Sequence, residues 1–360
     1  MFDAPHLARL QAIGLTPQIL DRYMTLAPQG ADTSLMRVTE VQREGLTLHD
    51  GEHEHAARAL PALVQQLLAD SDALAVGDWL LAQRNGFGEW WAHTRVPPLT
   101  QIARRVNDGR DKSSRMVIVS NVDTALLVMG LDHDYNLRRL ERYLALVRLA
   151  EVSAVVVLSK ADLCVHSAAR LHEVQTLVPA GVAVLAVNAL GDEPRVALAP
   201  WLGAGQTLVL LGSSGVGKST LTNALVGSAA QHTGGTRHGD GRGRHTTTTR
   251  SLHLAPGGAC IIDTPGLRTL RLDSEAGAIG SVFDDVTTLA LQCRFRDCRH
   301  EDEPGCAVRD GVAPERLRSF QKLLREARRD TQSALERKQQ VSMWKARGRA
   351  ARAHMKAKRG

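Results

Sequence analysis

Cysteine, aromatic side chains and long apolar runs are all scarce in this chain of 360 residues. Five cysteines over that length make no disulfide scaffold. No apolar run approaches the roughly 20 residues that a helix needs to cross a bilayer. The segment Met1 to Leu20 has an apolar flavour but lacks the basic stretch, long apolar core and small-residue cleavage site of an export signal. These absences argue against secreted disulfide-rich and membrane-spanning classes and point to the cytoplasm. With aromatics at 4%, few rings are left for surface stacking, and Trp90-Trp91 could supply one of them. Apolar content of 43% is that of a globular protein rather than a disordered one, and the length allows two or three domains with their own cores.

Charge and cysteine are unevenly placed. Residues 313–360 hold 15 Lys+Arg against 4 Asp+Glu, and the remainder holds 30 against 34. The net charge of +7 is therefore a C-terminal property and indicates a polyanionic partner such as nucleic acid. Three of the five cysteines fall within Cys293-x4-Cys298-x-His300-x5-Cys306. Three thiolates and an imidazole complete a tetrahedral zinc shell, which makes this a structural site rather than a catalytic one. Cys164 and Cys260 lie beside apolar runs and read as buried small side chains.

The patterning divides the chain into five parts. Residues 1–30 form an N-terminal extension with helical character. Residues 31–106 carry short period-2 runs (Leu35 to Val41, Leu46 to His49, Val76 to Gln83, Glu89 to Val96) punctuated by Asp50-Gly51 and Asn85-Gly86, which predicts a small OB-like β-barrel, though an SH3-like barrel would read much the same. The polar stretch Asn107 to Arg115 reads as a linker. Over 113–271 the apolar runs Met116–Val119, Ala125–Met129, Val152–Leu158, Val182–Val187, Leu208–Leu211 and Ala259–Ile262 read as buried strands of an α/β sheet, with a crossover helix over Leu137 to Leu149. Residues 272–343 follow as a zinc-binding helical domain with a helix over Glu315 to Gln340, and residues 344–360 as a basic tail.

Chemistry enters with Gly212-Ser213-Ser214-Gly215-Val216-Gly217-Lys218-Ser219-Thr220, a phosphate loop of the form G-x-x-x-x-G-K-[ST] set between a strand and a helix. Its glycines let backbone N–H groups converge on phosphate oxygens, Lys218 would bridge the β- and γ-phosphates, and Ser219 would ligate Mg²⁺. Some 45 residues on, after the apolar pair Ile261-Ile262, comes Asp263-Thr264-Pro265-Gly266. Asp263 would hold Mg²⁺ and the Gly266 N–H would meet the γ-phosphate. Gly241 to Thr249 lies between them and suits a mobile switch. The next residue is Leu267, which cannot orient water as a glutamine would, so intrinsic hydrolysis should be slow; His245 is a candidate to help.

Ser159-Lys160-Ala161-Asp162 is close to the guanine-reading Asn-Lys-x-Asp. Asp162 would accept from guanine N1–H and the 2-amino group, and the Lys160 stem would lie over the ring. Ser159 replaces the expected Asn and gives up a bracing amide, which predicts weaker nucleotide affinity. In an ordinary GTPase this loop follows the switches, whereas here it precedes the phosphate loop: the order is that of a circularly permuted GTPase.

With those motifs assembled, the chain resembles the RsgA (YjeQ) family of circularly permuted GTPases, which assist maturation of the bacterial small ribosomal subunit. The resemblance extends to Asn121-Val122-Asp123 and to Asn136 through Tyr143. It implies GTP contacts at Ser159–Asp162 and Gly212–Thr220, zinc at Cys293, Cys298, His300 and Cys306, and Thr247 as the switch ligand. It also implies a monomer that binds the 30S subunit and 16S rRNA and hydrolyses GTP faster there. The competing reading is an RNA-binding scaffold with a vestigial nucleotide site.

Overall fold

The computed structural model describes residues 3–26, 33–42, 45–107, 113–227, 250–264 and 279–331. The chain separates into two compact units, Met1–Arg105 with Arg115–Leu270, and Val106–Ser114 with Arg271–Gly360.

In the first unit, β1 (Thr33–Val41), β2 (Leu46–His49), β3 (Glu54–Ala59), β4 (Trp79–Arg84) and β5 (Trp90–Arg95) close a barrel in the order β1-β2-β3-β5-β4, with β4 returning to β1. All its neighbours are antiparallel except β3 and β5. This is the OB-like barrel that the period-2 runs predict. Its interior is small and alternates as strands should, with Met36, Val38, Leu48, Ala57, Leu80, Ala82 and Ala92 facing inward. Helix α3 (Pro61–Ala69) contributes Leu63 and Leu67 to that core. The extension folds as α1 (Ala4–Ala12) and α2 (Pro17–Met24), capped by the Asp3 and Thr16 side chains. Leu10, Ile13, Leu15 and Ile19 then cover the outward-facing Leu35 and Leu81 of the barrel wall.

The second part of this unit is a six-strand arrangement, β10-β9-β8-β11-β13-β12. Strands β8 (Thr124–Gly130), β9 (Ser153–Ser159), β10 (Ala183–Val187), β11 (Thr207–Gly212) and β13 (Cys260–Asp263) run parallel, and β12 (Ser251–Leu254) is antiparallel at their edge. The helix predicted over Leu137 to Leu149 is α4 with those bounds. Helices α5 (Ser167–Leu177), α6 (Glu193–Leu198) and α7 (Lys218–Val226) complete the crossovers. β11, which feeds the phosphate loop, lies between β8 and β13, so β8 to β10 come earlier in the chain yet extend the sheet beyond it. That is circular permutation seen in strand order.

One expectation needs correction. Met116–Val119 belongs not to the α/β sheet but to β7 (Ser113–Ser120), which pairs with β6 (Gln101–Asn107) in a separate two-stranded sheet. Apolar residues alone could not separate this hairpin strand from a parallel one. The segment read as a linker has strand on both flanks.

Barrel and sheet meet at β1 and β12, registered at Glu40 and Ser251. Beside that seam Arg37 is fully buried. Its guanidinium donates to Thr207 Oγ1 (2.9 Å), to the carbonyls of Asn121 (3.2 Å) and Ile13, and to Cys260 Sγ (3.4 Å). One side chain thus ties the N-terminal helices, the barrel and the sheet together. Burial lowers its pKa, countered by Cys260, Asp123 and Asp78.

The second unit contains α8 (Asp284–Ala290), α9 (Ala307–Gly311) and α10 (Pro314–Thr331). Phe283 packs on Phe320 with ring centroids 5.3 Å apart, and Arg316 lies over Phe283 while pairing with Asp285 through two hydrogen bonds of 2.6 and 2.8 Å. The predicted helix from Glu315 is this α10; residues beyond 331, including the basic tail, lie outside the described residues.

Candidate nucleotide and metal sites

The phosphate loop joins β11 to α7 at the carboxyl edge of the parallel strands, where open α/β sheets place their ligands. Gly212 is required by proximity: a Cβ there would lie 2.4 Å from the Val128 carbonyl oxygen. Gly215 and Gly217 have φ of +83° and +93°, which only glycine adopts without strain. Lys218 is 6% exposed and its ammonium donates to the carbonyls of Gly212 (3.1 Å) and Ser213 (2.7 Å). Ser219 Oγ donates to Asp263 Oδ2 at 3.3 Å, while the other oxygen of Asp263, a residue 1% exposed, has no partner among the described residues. An unpartnered buried carboxylate oxygen beside a serine hydroxyl suits a hard divalent cation, so these two residues fit Mg²⁺.

Electrostatics agree with that use. Burial pulls the Lys218 ammonium down to about 8, against the raising effect of Asp263 and Asp134. Burial pushes the Asp263 carboxyl up, opposed by Lys218, the Ser219 hydroxyl and the Thr264 N–H. Both are charges under-compensated in a low-dielectric site, of the kind that phosphate and cation satisfy. The protonated lysine is the form that attracts phosphate, and bound phosphate raises its pKa again, so binding takes up protons. Nucleotide affinity should therefore fall about fourfold from pH 7 to pH 8.5 as the free lysine loses its proton. Titration with a fluorescent GDP analogue across this interval measures it; a flat profile contradicts the assignment of the shift.

The segment expected to read the base sits at the end of β9, parallel to the end of β8, and reaches the phosphate loop through Lys160. Ser159 is fully buried and its hydroxyl donates to the Val216 carbonyl at 2.6 Å, so the shorter side chain still ties this segment to the phosphate loop. The brace that an amide would make is retained in part. Lys160, at φ +60°, donates from Nζ to Gly215 O (2.9 Å) and Asp132 Oδ2 (2.7 Å). Ala161 and Asp162 follow in one turn of 3₁₀ helix that leaves Asp162 exposed. Asn188 Oδ1 accepts from the Leu190 N–H (2.9 Å) in the turn after β10.

Sequence reasoning gave no role to Asp132, Asp134 and Arg139. Arg139 reaches back from α4 to donate to Ser213 Oγ (2.5 Å) and to the Asp134 carbonyl (2.6 Å), and pairs with the Asp134 carboxylate (2.9 Å). The phosphate loop is thus held from behind by the helix that Asn136 caps through the Arg139 N–H (3.0 Å). The run Asn136 to Tyr143 was a signal in the sequence, but its meaning needed the tertiary contact. His245, Thr247, Gly266 and Leu267 lie outside the described residues.

In the second unit, the ligand atoms of Cys293, Cys298, His300 and Cys306 lie within 4.8 Å of one another. His300 Nδ1 is 3.7 Å from Cys293 Sγ and 3.4 Å from Cys306 Sγ, and those two sulfurs are 4.0 Å apart. Tetrahedral zinc with ordinary bond lengths requires S···S near ~3.8 Å and S···N near ~3.6 Å. The donor set and spacing therefore fit zinc. His300 has φ of +59°, and Gln321 fixes its carbonyl by a 2.8 Å hydrogen bond; the loop holds the imidazole toward the sulfurs.

Comparison with known proteins bears directly on this geometry. The RsgA GTPase family profile matches residues 100–273. The small ribosomal subunit biogenesis GTPase RsgA of Xylella fastidiosa (strain M23) is 40% identical over 323 residues, covering 87% of this chain and 95% of that protein. This chain belongs to the RsgA GTPase family. The RsgA of Xanthomonas campestris pv. campestris (strain B100) is 43% identical over 293 residues, 80% of this chain and 79% of the relative. Members of the family are GTP hydrolases, and the chain is an enzyme of that kind. The crystal structure of YjeQ from Thermotoga maritima superposes with a TM-score of 0.59 over 82% of this chain and 98% of that one, at 23% identity. YloQ, described as a circularly permuted GTPase, gives 0.54 over 85% and 100%, at 20% identity. These two likenesses concern the fold: a permuted GTPase architecture, here with its OB-like barrel and a C-terminal Cys/His cluster.

Proposed function

We propose that this chain is a maturation factor of the small ribosomal subunit, a cytoplasmic GTPase that binds the 30S particle and 16S rRNA and hydrolyses GTP to GDP and phosphate faster when bound. The observation that carries the reading is the intact polar core of the nucleotide site, with buried Lys218 between two loop carbonyls and Ser219 beside the half-unpartnered Asp263. A vestigial site has no reason to keep a buried lysine and a buried carboxylate at such desolvation cost. The names of relatives about 40% identical supply the client, the small ribosomal subunit.

In this reading Gly212 to Thr220 receive the phosphates, Lys218 carries the charge contact to the β- and γ-phosphates, and Ser219 with Asp263 hold Mg²⁺. Ser159 to Asp162 read guanine, with Asp162 selecting it over adenine. Gly266 senses the γ-phosphate, Thr247 closes as the switch ligand, and His245 is the candidate to assist the attacking water. One zinc ion per chain is held by Cys293, Cys298, His300 and Cys306. The chain acts as a monomer, divided as an extension (1–30), barrel (31–106), GTPase domain (113–271), zinc-binding helical domain (272–343) and basic tail (344–360). The basic C-terminal region supplies attraction to RNA phosphates. Among the described residues no helix is long and apolar enough to cross a membrane.

Co-sedimentation tests the partner. The chain should pellet with 30S subunits and not with 50S subunits at the same salt, more completely with a non-hydrolysable GTP analogue than with GDP. Equal retention on both subunits in every nucleotide state would contradict the reading.

A further inference from the structure

The phosphate loop turns on Gly212, Gly215 and Gly217, and a backbone so rich in glycine does not hold one shape by itself. Side chains from outside fasten it at three points. Ser159 reaches the Val216 carbonyl, Lys160 the Gly215 carbonyl, and Arg139 the Ser213 hydroxyl. The first two belong to the segment expected to read the base. Arg139 comes from another element, the first turn of α4, 74 residues before Ser213. Helix stability does not account for it. Arg138 and Arg139 stand in a first turn that has no acidic residue, and a helix N-terminus carries partial positive charge, so cations there work against the helix.

The loop before the helix aims the guanidinium instead. Asp134 holds one terminal nitrogen with its carboxylate (2.9 Å) and its carbonyl (2.6 Å), which leaves the other to reach Ser213 Oγ at 2.5 Å. The same loop supplies Asp132, whose carboxylate accepts from Lys160 Nζ (2.7 Å) and from the Asp134 N–H (3.0 Å). Asp132 and Asp134 thus aim two cations at the phosphate loop, one at Gly215 and one at Ser213. The loop is in turn fastened to α5, where Glu173 accepts from the Tyr135 hydroxyl (2.7 Å) and Arg170 donates to the Leu131 carbonyl (2.6 Å). Water is a poor substitute for Arg139 at this point. The cavity bounded by Ser213, Arg139 and the buried Tyr143 is about 10 Å³, room for one water at most. The Ser213 carbonyl is also one of the two that hold the Lys218 ammonium, at 2.7 Å, so a shift of Ser213 carries that ammonium with it.

We infer that Arg139, aimed by Asp134, is a positioning residue of the GTPase site: through the Ser213 hydroxyl it keeps the phosphate loop in the conformation that receives phosphate. The inference rests on the assignment of Gly212 to Thr220 as the phosphate site. Its effect falls on binding more than on turnover. Once phosphates occupy the loop, the N–H groups that converge on them hold its shape, and the brace matters less.

The test measures affinity of the full chain for a fluorescent GDP analogue, KM and kcat for GTP, and melting, in Arg139→Ala, Ser213→Ala and the double variant. Arg139→Ala should weaken GDP binding and raise KM about tenfold, as loss of one charge-assisted hydrogen bond does, with kcat within about threefold of the parent. Melting should stay within a few degrees of the parent. Ser213→Ala should weaken binding too, and the double variant should bind about as the weaker single variant does, because both changes remove one contact. Losses that multiply in the double variant would overturn the inference, since Arg139 would then act by a route other than Ser213. So would affinity and KM of Arg139→Ala within about twofold of the parent, or losses matched by a fall in melting temperature, which mark a structural role. Lys218→Ala separates this failure from that of the site itself. If GDP affinity survives Lys218→Ala, the phosphate-site assignment falls and this inference with it; if Lys218→Ala loses affinity and Arg139→Ala does not, this inference alone falls.

Discussion

Lys218→Ala should reduce GTP turnover by about 10²- to 10³-fold or more, with the barrel and sheet still folded. The expected loss follows from removing one charge contact aimed at the transferring phosphate inside a desolvated site. The expected survival of the fold follows from the same burial. The Lys218 pKa lies at about 8 because desolvation outweighs the attraction of Asp263 and Asp134. Its charge is thus a cost to the folded chain, and alanine removes that cost. The carbonyls of Gly212 and Ser213, which Lys218 holds at 3.1 and 2.7 Å, are then left to water. Turnover by phosphate release and melting by circular dichroism should therefore separate: activity lost, melting temperature within a few degrees of the parent. A variant that both melts much earlier and loses activity would mean that the lysine is structural. One that keeps activity would move the phosphate contact elsewhere.

Loss of zinc should have an effect of comparable size in the second unit. The four proposed ligands come from one short segment between α8 and α9, and the structured pieces around them are short: α8 has seven residues and α9 five. Helices of this length do not stand alone in water. The metal should supply a large share of this unit's folding free energy, as structural zinc does elsewhere. Cys298→Ser should lower bound zinc from about one per chain to near none, as measured by release to a colorimetric chelator. Limited proteolysis should then cut between Ile279 and Thr331 far faster than in the parent, while the first unit stays resistant. Full zinc content or unchanged protection in the variant would contradict a Cys-Cys-His-Cys centre.

Much of this was legible in the sequence, for reasons that can be traced to particular residues. The phosphate loop is legible because few side-chain patterns satisfy a backbone that must turn at Gly215 and Gly217 and approach Val128 at Gly212. The strand before it is legible as an unbroken apolar run, and α4 because its apolar residues keep one helical period. β3 was missed because Glu-His-Ala-Ala-Arg-Ala has neither β-branched nor aromatic residues, and pairing with β2 and β5 fixes it instead. α3 was missed with it although Leu63, Val64, Leu67 and Leu68 stand at helical spacing, because nine residues give the period little room to repeat. Ser159 is the instructive case within the site. From sequence it is an absent amide; in the fold its hydroxyl reaches the Val216 carbonyl, a contact between residues 57 apart that no local pattern encodes. Arg139 behind Ser213 is hidden for the same reason. Likewise the inward and outward turns of Trp90 and Trp91 become distinguishable only once the register with β3 and β4 is known.

The most direct test of the central claim is GTP turnover by the purified chain at fixed salt, alone and with 30S subunits, 50S subunits or naked rRNA. A ribosome-coupled GTPase predicts slow basal hydrolysis raised many-fold by 30S alone. Turnover indifferent to every ribosomal species would contradict it.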